Sequence, residues 1–194
     1  HQRGMKLILD LVVNHTSDEH PWFIESKSSK TNAKRDWYIW ADPKPDGSEP
    51  NNWESIFNGS TWEFDESTKQ YYFHLFSKKQ PDLNWENPDV RQAVFEMMNW
   101  WFEKGIDGFR VDAITHIKKN FEAGDLPVPD GKKFAPAFDV DMNQPGIQEW
   151  LQEMKDKSLS RYDIMTVGEA NGVTPNDAEE WVGEENGKFN MIFQ

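Results

Sequence analysis

The stretch MKLILDLVV, residues 5–13, decides the fold class of this 194-residue chain. It is a nearly continuous apolar run that only Lys6 and Asp10 interrupt. A run of this kind is typical of a strand covered on both faces, and such strands occur in parallel sheets flanked by helices. The sequence therefore predicts an α/β fold built on a buried parallel sheet.

Helices and apolar strands alternate in the second half of the chain. Asn87 can cap a helix, Pro88 suits its first turn and Gly105 can end it, so residues 87–105 predict a helix. The stretch DGFRVDAI, residues 107–114, predicts the next strand. The helix residues expected to face the core are Val90, Val94, Met97, Met98, Trp101 and Phe102. The elements expected further on are a helix near 146–159, a strand over 163–170, a helix opening at 174–175 and a strand over 188–194.

Residues 16–85 have a different texture, with several prolines, many aromatic residues and the polar stretch KPDGSEPNN at 44–52. One hairpin is predicted there, between the aromatic-rich segments 61–64 and 71–76, because a polar turn separates them. The remainder shows no regular period. We therefore expect an irregular α+β insertion between the first strand and the rest of the sheet.

Parallel strands joined by helices form either an open doubly wound sheet or a closed TIM-type (β/α)8 barrel. No glycine-rich phosphate turn of the dinucleotide-binding kind follows any of the predicted strands, so the barrel is favoured. In such barrels the chemistry takes place at the carboxyl ends of the strands. Polar residues that end an apolar strand are therefore candidate site residues.

Composition excludes several classes of function. A formal net charge of -13 makes a surface that repels phosphate backbones and anionic lipid, so nucleic acid and membranes are poor partners. No apolar run approaches the length of a bilayer span. The chain has no cysteine, which rules out disulfides and thiolate metal sites and fits a reducing compartment. Ten tryptophans supply flat faces that suit sugar rings as well as cores.

Three predicted strands end in polar residues: His15 follows the first, Arg110 and Asp112 end the second, and Glu169 ends the third. Strand alternation places Arg110 and Asp112 on the same side, so the guanidinium can hold the carboxylate ionised and oriented. Two carboxylates that converge on one cavity are what glycoside hydrolysis requires. Asp112, beside Arg110, is then expected to stay ionised and to act as the nucleophile. Glu169 has no neighbouring cation in the sequence, so it can more easily hold a proton and is expected to act as the acid/base.

A purely structural interpretation of these residues is open. In that interpretation Arg110 and Asp112 form an ion pair that stabilises the fold, and Glu169 is a carboxylate at the start of a helix. The residue types alone do not separate the two interpretations.

Four stretches resemble signature motifs of the alpha-amylase family of glycoside hydrolases, in the same order along the chain. DLVVNH (10–15), GFRVDAI (108–114) and VGEANG (167–172) resemble three general motifs of the family. QPDLNWENP (80–88) resembles a motif of its oligo-1,6-glucosidase and alpha-glucosidase branch. The resemblance covers essentially the whole chain and implies part of a TIM-type barrel, from the third to the sixth strand, with an irregular domain inserted after the third.

The resemblance implies a division of the chain and a set of roles. Barrel strand 3 lies in 1–15, an inserted substrate-pocket domain in 16–85, and barrel strands 4 to 6 with their helices in 86–194. A short alpha-glucoside is the implied substrate, and glucose is released from its non-reducing end. The residues involved are Asp112 as nucleophile, Glu169 as acid/base, Arg110 supporting the nucleophile, His15 on the reacting sugar, Phe57 and Phe76 narrowing the pocket, Gln80 at its rim, and Ala113.

Ala113 follows the expected nucleophile at the position to which the branch's linkage preference is thought to respond. In the family, valine at this position accompanies alpha-1,6 cleavage, whereas a smaller or polar residue accompanies alpha-1,4 cleavage. The alanine favours alpha-1,4 cleavage, although a methyl group or two changes selectivity by only about 1–3 kcal/mol.

A complete barrel of this type needs about 250 residues and eight strands, so the chain resembles a fragment. The family's third carboxylate and second histidine are missing, as is the loop where some members bind calcium. We therefore expect the chain to be inactive alone and to need the remainder of the barrel. No cofactor or metal site is expected in this segment, calcium being possible only in the missing part. His74 and His116 are expected to form local hydrogen bonds, and Asp139 and Asp141 to lie in a solvated turn.

Other functions share these motifs. A trehalose-6-phosphate hydrolase or a sucrose isomerase of the same family has the same three motifs, although no phosphate pocket is identifiable in the sequence. A catalytically silent amylase-like binding domain is the alternative outside the enzymes. We expect the protein to be bacterial and to be located in the cytoplasm.

Overall fold

The computed structural model describes residues 1–194, and the chain folds into two units. The first unit comprises His1–Asn14, Pro88–Lys118 and Met142–Gln194, and the second comprises His15–Asn87 and Lys119–Asp141. The strands are β1 (Ile8–Val12), β2 (Trp40–Ala41), β3 (Trp53–Glu54), β4 (Trp62–Asp65), β5 (Gln70–Phe73), β6 (Gly108–Asp112), β7 (Ala135–Pro136), β8 (Met165–Glu169) and β9 (Met191–Phe193). The α-helices are α1 (Pro21–Ser28), α2 (Pro88–Glu103), α3 (Phe138–Asp141), α4 (Ile147–Lys157) and α5 (Ala178–Val182).

A four-stranded parallel sheet forms the centre of the first unit. Its strand order is β1-β6-β8-β9, and every neighbouring pair is parallel. Helices α2 and α4 lie in the connections between β1 and β6 and between β6 and β8, the arrangement that parallel strands require. The predicted α/β class with a partial barrel sheet is confirmed.

The two faces of this sheet differ in exposure. Side chains at alternate positions, such as Leu11, Phe109 and Val111, are buried, and the ring of Phe109 lies 4.9 Å from that of Phe102 on α2. Five apolar residues of the opposite face are 38–48% exposed, namely Ile8, Val12, Met165, Met191 and Phe193. The first strand is therefore covered on one face only within these residues.

Helix α2 runs as predicted, but its buried face differs from the prediction at three positions, one of which is Met97, predicted to face the core and only partly buried. Trp101 is 37% exposed, whereas Phe95, which the prediction omitted, is buried. The buried set of the helix is Val90, Val94, Phe95, Met98 and Phe102. The helix ends before Gly105, whose φ of 94° suits glycine. None of the helices is both long enough and apolar enough to cross a membrane.

The second unit contains the predicted hairpin. Strands β4 and β5 pair antiparallel, with Trp62 opposite Phe73, and β2 adds to the other edge of β5. Beneath the hairpin lies an aromatic core made of Trp53, Trp62, Phe73, Leu75 and Ala137. The hairpin thus supplies both the sheet and much of the core of this unit.

Residues 119–141 belong to the second unit, although the sequence assigned them to the barrel segment 86–194. The indole of Trp53 donates to the carbonyl of Gly124 over 2.8 Å and stacks on Phe121 with ring centroids 5.2 Å apart. Strand β7 also pairs with β3. These long-range contacts hold the segment against the aromatic core. No local sequence pattern predicts them.

Candidate active site

Asp112 and Glu169 end two neighbouring strands of the parallel sheet. Asp112 is the last residue of β6, Glu169 is the last residue of β8, and the strands are paired with Val111 opposite Gly168. Parallel strands present their carboxyl ends at one edge of the sheet. The two carboxylates therefore emerge at the same edge.

Arg110 joins the carboxylates at this edge. Its Nη1 donates to Asp112 Oδ1 over 2.5 Å and its Nη2 donates to Glu169 Oε2 over 2.7 Å. Nη1 also donates to Asp10 Oδ1 over 2.8 Å. One planar guanidinium thus orients three acidic side chains, as its fork of N–H donors permits.

Glu169 has no cationic neighbour in the sequence, but the fold brings Arg110 to it. Glu169 is as close to the guanidinium as Asp112 is, because β8 lies beside β6 and their alternate residues share one face. The two carboxylates consequently differ in their other partners and not in their access to Arg110.

The charge of Arg110 is secure. Burial lowers the pKa of the guanidinium, but the hydrogen bonds and charges of Asp10 and Asp112 outweigh burial and raise it above its ordinary value. The guanidinium is therefore positively charged at neutral pH, and it donates hydrogen bonds to the carboxylates around it.

Ala113 contributes its backbone to this site. Its N–H donates to Glu169 Oε2 over 3.1 Å, and its φ of 46° is in the left-handed region, which a non-glycine residue rarely adopts. Its methyl group is buried at 4% exposure. The hydrogen bond to Glu169 is thus made by the main chain of Ala113, while the role of its side chain in linkage preference stays a prediction.

Asp10 is the site residue that sequence reasoning missed. It interrupts the first apolar run, and β1 pairs with β6 so that Asp10 lies opposite Arg110. The signal in the sequence is a charged residue inside an otherwise apolar run. Its partner could not be read from the sequence, since one hundred residues separate the two.

Four other predicted residues meet within the second unit. Gln80 Nε2 lies 3.0 Å from His15 Nε2, and the ring of His15 lies 5.2 Å from that of Phe76. The rings of Phe76 and Phe57 are 5.9 Å apart, and Phe57 is 61% exposed. The aromatic pair and the histidine with its amide partner therefore form one cluster.

The family model described as the alpha-amylase catalytic domain matches residues 1–194. This chain belongs to the alpha-amylase catalytic-domain family. Its sequence is 64% identical to "Probable oligo-1,6-glucosidase 3" of Bacillus subtilis and 58% identical to "Oligo-1,6-glucosidase" of Parageobacillus thermoglucosidasius, in both cases over 194 residues. All of this chain is covered, but only 35% and 34% of those relatives. The chain thus spans about a third of the length of the curated relatives it matches.

Solved structures of enzymes superpose closely on this chain. Trehalose-6-phosphate hydrolase of Bacillus licheniformis superposes with a TM-score of 0.91 at 48% identity, over 100% of this chain and 34% of the other. Isomaltulose synthase of Protaminobacter rubrum superposes with a TM-score of 0.89 at 42% identity, over 99% of this chain and 34% of the other. The family's barrel fold is shared across these differently named enzymes.

The histidine and aspartate side chains that were weighed as metal ligands do not form a cluster. No group of three or more His, Asp or Glu side chains is arranged to hold a metal ion. His74 and His116 are buried, and burial lowers the pKa of His74. Asp141 is 1% exposed at the end of α3, so the solvated turn predicted for it is wrong. The absence of a cofactor stays a prediction.

Proposed function

We propose that the whole protein carrying this chain is a retaining alpha-glucosidase that releases glucose from the non-reducing end of short alpha-glucosides. The observation that carries the proposal is the single guanidinium of Arg110, which binds Asp112 and Glu169 at the carboxyl ends of adjacent strands. A retaining mechanism needs two carboxyl groups about 5–5.5 Å apart around one sugar. Two carboxylates that share one arginine are held together for that purpose.

Asp112 is the proposed nucleophile. Its Oδ1 is engaged by Arg110, so Oδ2 is the oxygen that attacks the anomeric carbon. Glu169 transfers its proton to the glycosidic oxygen as the bond from that oxygen to the anomeric carbon breaks. The remainder of the substrate leaves as an alcohol, and a glucosyl ester of Asp112 remains.

Glu169 acts in both steps. Its Oε2 already accepts two N–H donors, those of Arg110 and Ala113, so the transferred proton is carried by Oε1. In the second step Glu169 takes a proton from water, and the water oxygen displaces Asp112 from the anomeric carbon. Glucose leaves with its original anomeric configuration.

Two substitutions in the whole protein test these roles. We expect Asp112→Asn and Glu169→Gln each to reduce kcat on p-nitrophenyl alpha-glucoside by at least about a thousandfold. Proton NMR of the wild-type reaction should show alpha-glucose as the first product. Full activity in Asp112→Asn, or beta-glucose as the first product, contradicts the proposal.

The proposed enzyme hydrolyses alpha-1,4 bonds, alpha-1,6 bonds or both. The names of the Bacillus and Parageobacillus relatives support alpha-1,6 cleavage, whereas Ala113 favours alpha-1,4 cleavage. The values of kcat/KM for maltose and isomaltose measure the preference between alpha-1,4 and alpha-1,6 cleavage. A clear preference for isomaltose rejects the inference from Ala113.

Two related activities have support in the names of structural neighbours. Trehalose-6-phosphate hydrolase and isomaltulose synthase share this fold at 48% and 42% identity. Assays with trehalose 6-phosphate and with sucrose distinguish them from an alpha-glucosidase. A non-catalytic binding domain is the third alternative, and it would show no turnover for Asp112→Asn to abolish.

The remaining predicted residues are proposed to bind the substrate. His15 contacts the reacting sugar, Gln80 supports the rim, and Phe57 with Phe76 narrows the pocket so that only a chain end enters. The cluster that these four residues form supports this proposal. The substrate is a small oligosaccharide, and the activity depends on the remainder of the barrel.

A further inference from the structure

The hydroxyl of Ser55 connects the two chain segments that carry Phe57 and Phe76. Ser55 is 4% exposed, and its Oγ donates to the carbonyl of Phe76 over 2.5 Å. The same Oγ accepts the N–H of Phe57 over 3.2 Å. A serine hydroxyl has one donor and accepting lone pairs, and here both functions are used.

Phe57 stands at the tip of a tight turn. The N–H of Ser55 donates to the carbonyl of Gly59 over 2.9 Å, and Asn58 and Gly59 both have positive φ, 69° and 84°. The N–H of Ile56 donates to the carbonyl of Leu75 over 2.9 Å. The turn is therefore attached to the segment that precedes Phe76, while the Phe57 side chain itself is mostly exposed.

Phe76 is fixed from the other side. Its carbonyl accepts a second hydrogen bond, from Nδ1 of His74, over 3.2 Å, so the neutral His74 carries its proton on that nitrogen. The N–H of Ser77 donates to Oε1 of Gln80 over 3.2 Å, and Gln80 contacts His15. The Phe76 main chain is thus held by several hydrogen bonds, and the Ser55 hydroxyl connects the Phe57 main chain to it.

We propose that Ser55 is a positioning residue that sets the separation of Phe57 and Phe76 and thereby restricts the pocket to the non-reducing end of the substrate. This inference rests on the proposed alpha-glucosidase function. The Ser55 hydroxyl touches neither the sugar nor the reacting atoms; it acts through the two rings. Without it, the turn keeps its backbone bonds but loses the bond that orients the Phe57 main chain against Phe76.

The test compares Ser55→Thr with Ser55→Val in the whole protein. Threonine and valine have nearly the same shape, so both add the same methyl group to the buried site and differ in the hydroxyl. We expect Ser55→Val to raise KM for p-nitrophenyl alpha-glucoside about three- to tenfold relative to Ser55→Thr, the effect of losing one or two neutral hydrogen bonds, with kcat within about twofold. Ser55→Val should also hydrolyse a maltooligosaccharide whose non-reducing end is chemically blocked faster than Ser55→Thr does.

Ser26→Ala is the matched control. Ser26 is a buried serine of the same unit whose hydroxyl also bridges two groups, donating to the carbonyl of Arg35 and accepting from the indole of Trp40. A general loss of stability would change this control as well. We expect KM and the response to the blocked substrate to stay at wild-type values in Ser26→Ala.

Crystal structures of both Ser55 variants give a result that does not depend on activity. The proposal predicts that the ring centroids stay near 5.9 Å apart in Ser55→Thr and move apart in Ser55→Val. Equal separations, or equal KM values and equal rates on the blocked substrate, overturn it. If Ser55→Val does not fold, Ser55→Ala takes its place. An inactive wild-type protein contradicts the proposed function, and the two ring separations still decide the role of Ser55.

Discussion

At the scale of single residues, Arg110 is distinguished by the number of carboxylates it binds. A lysine in its place keeps the charge but presents a point charge on a flexible stem, which cannot hold Asp112 and Glu169 in the geometry of a planar fork. We expect Arg110→Lys to lower kcat/KM of the whole protein on p-nitrophenyl alpha-glucoside about 10- to 100-fold, as charge-assisted hydrogen bonds contribute about 1.5–3 kcal/mol. Arg91→Lys is the control, because Arg91 pairs with Glu153 between helices α2 and α4 over 2.7 Å. A change within twofold for Arg110→Lys contradicts this role.

His74 is the residue from which a pH effect on stability follows. Burial lowers its pKa below the ordinary value of 6.5, and its hydrogen bond to the Phe76 carbonyl opposes this only partly. As the pH falls below 6.5 the unfolded chain therefore binds a proton before the folded one, and the free energy of unfolding decreases, by at most about 1.4 kcal/mol per pH unit for one proton. We expect urea midpoints measured between pH 7 and pH 5 to fall less steeply in His74→Gln, which keeps a donor for the carbonyl. An identical slope in both proteins excludes His74 as the source.

At the scale of elements, the segment 119–141 is held in the second unit by a buried ion pair. Lys119 Nζ lies 2.6 Å from Asp82 Oδ2, with side chains 1% and 0% exposed. Removing one partner of such a pair leaves an uncompensated buried charge, so Lys119→Met should reduce the free energy of unfolding by about 3–5 kcal/mol. Lys44→Met is the control, since Lys44 pairs with Asp125 of the same segment at the surface over 2.8 Å and this pair should contribute less than about 1 kcal/mol. Urea denaturation measures both, and equal losses would contradict the assignment.

At the scale of the whole molecule, the exposed sheet face carries both the two carboxylates proposed to be catalytic and an apolar surface. Asp112 and Glu169 project from the face on which Ile8, Met191 and Phe193 are 41–48% exposed. An uncovered sheet face of this kind favours association, and water on it weakens the electrostatics that glycoside hydrolysis needs. We expect the isolated 194-residue chain to release no p-nitrophenol from p-nitrophenyl alpha-glucoside and to elute above its 22.7 kDa monomer mass in gel filtration. Measurable turnover by the isolated chain would contradict this.

Local patterns in the sequence determined the parallel sheet, the aromatic hairpin and the candidate carboxylates. Apolar runs indicate burial along one strand, and a polar residue at the end of such a run, as at Asp112 and Glu169, indicates a candidate site at the carboxyl edge of a parallel sheet. These features depend on a few neighbouring residues, so they can be read before any tertiary contact is known. The ordered motifs then indicated the family.

Only the tertiary structure decided which distant residues meet. The pairing of β1 with β6 brings Asp10 to Arg110, and that of β6 with β8 brings Glu169 to the same guanidinium. Residues 119–141 join the second unit through contacts with Trp53 and Asp82. The physical reason is that strand register and long-range ion pairs depend on how whole elements pack, whereas periodicity describes each element alone.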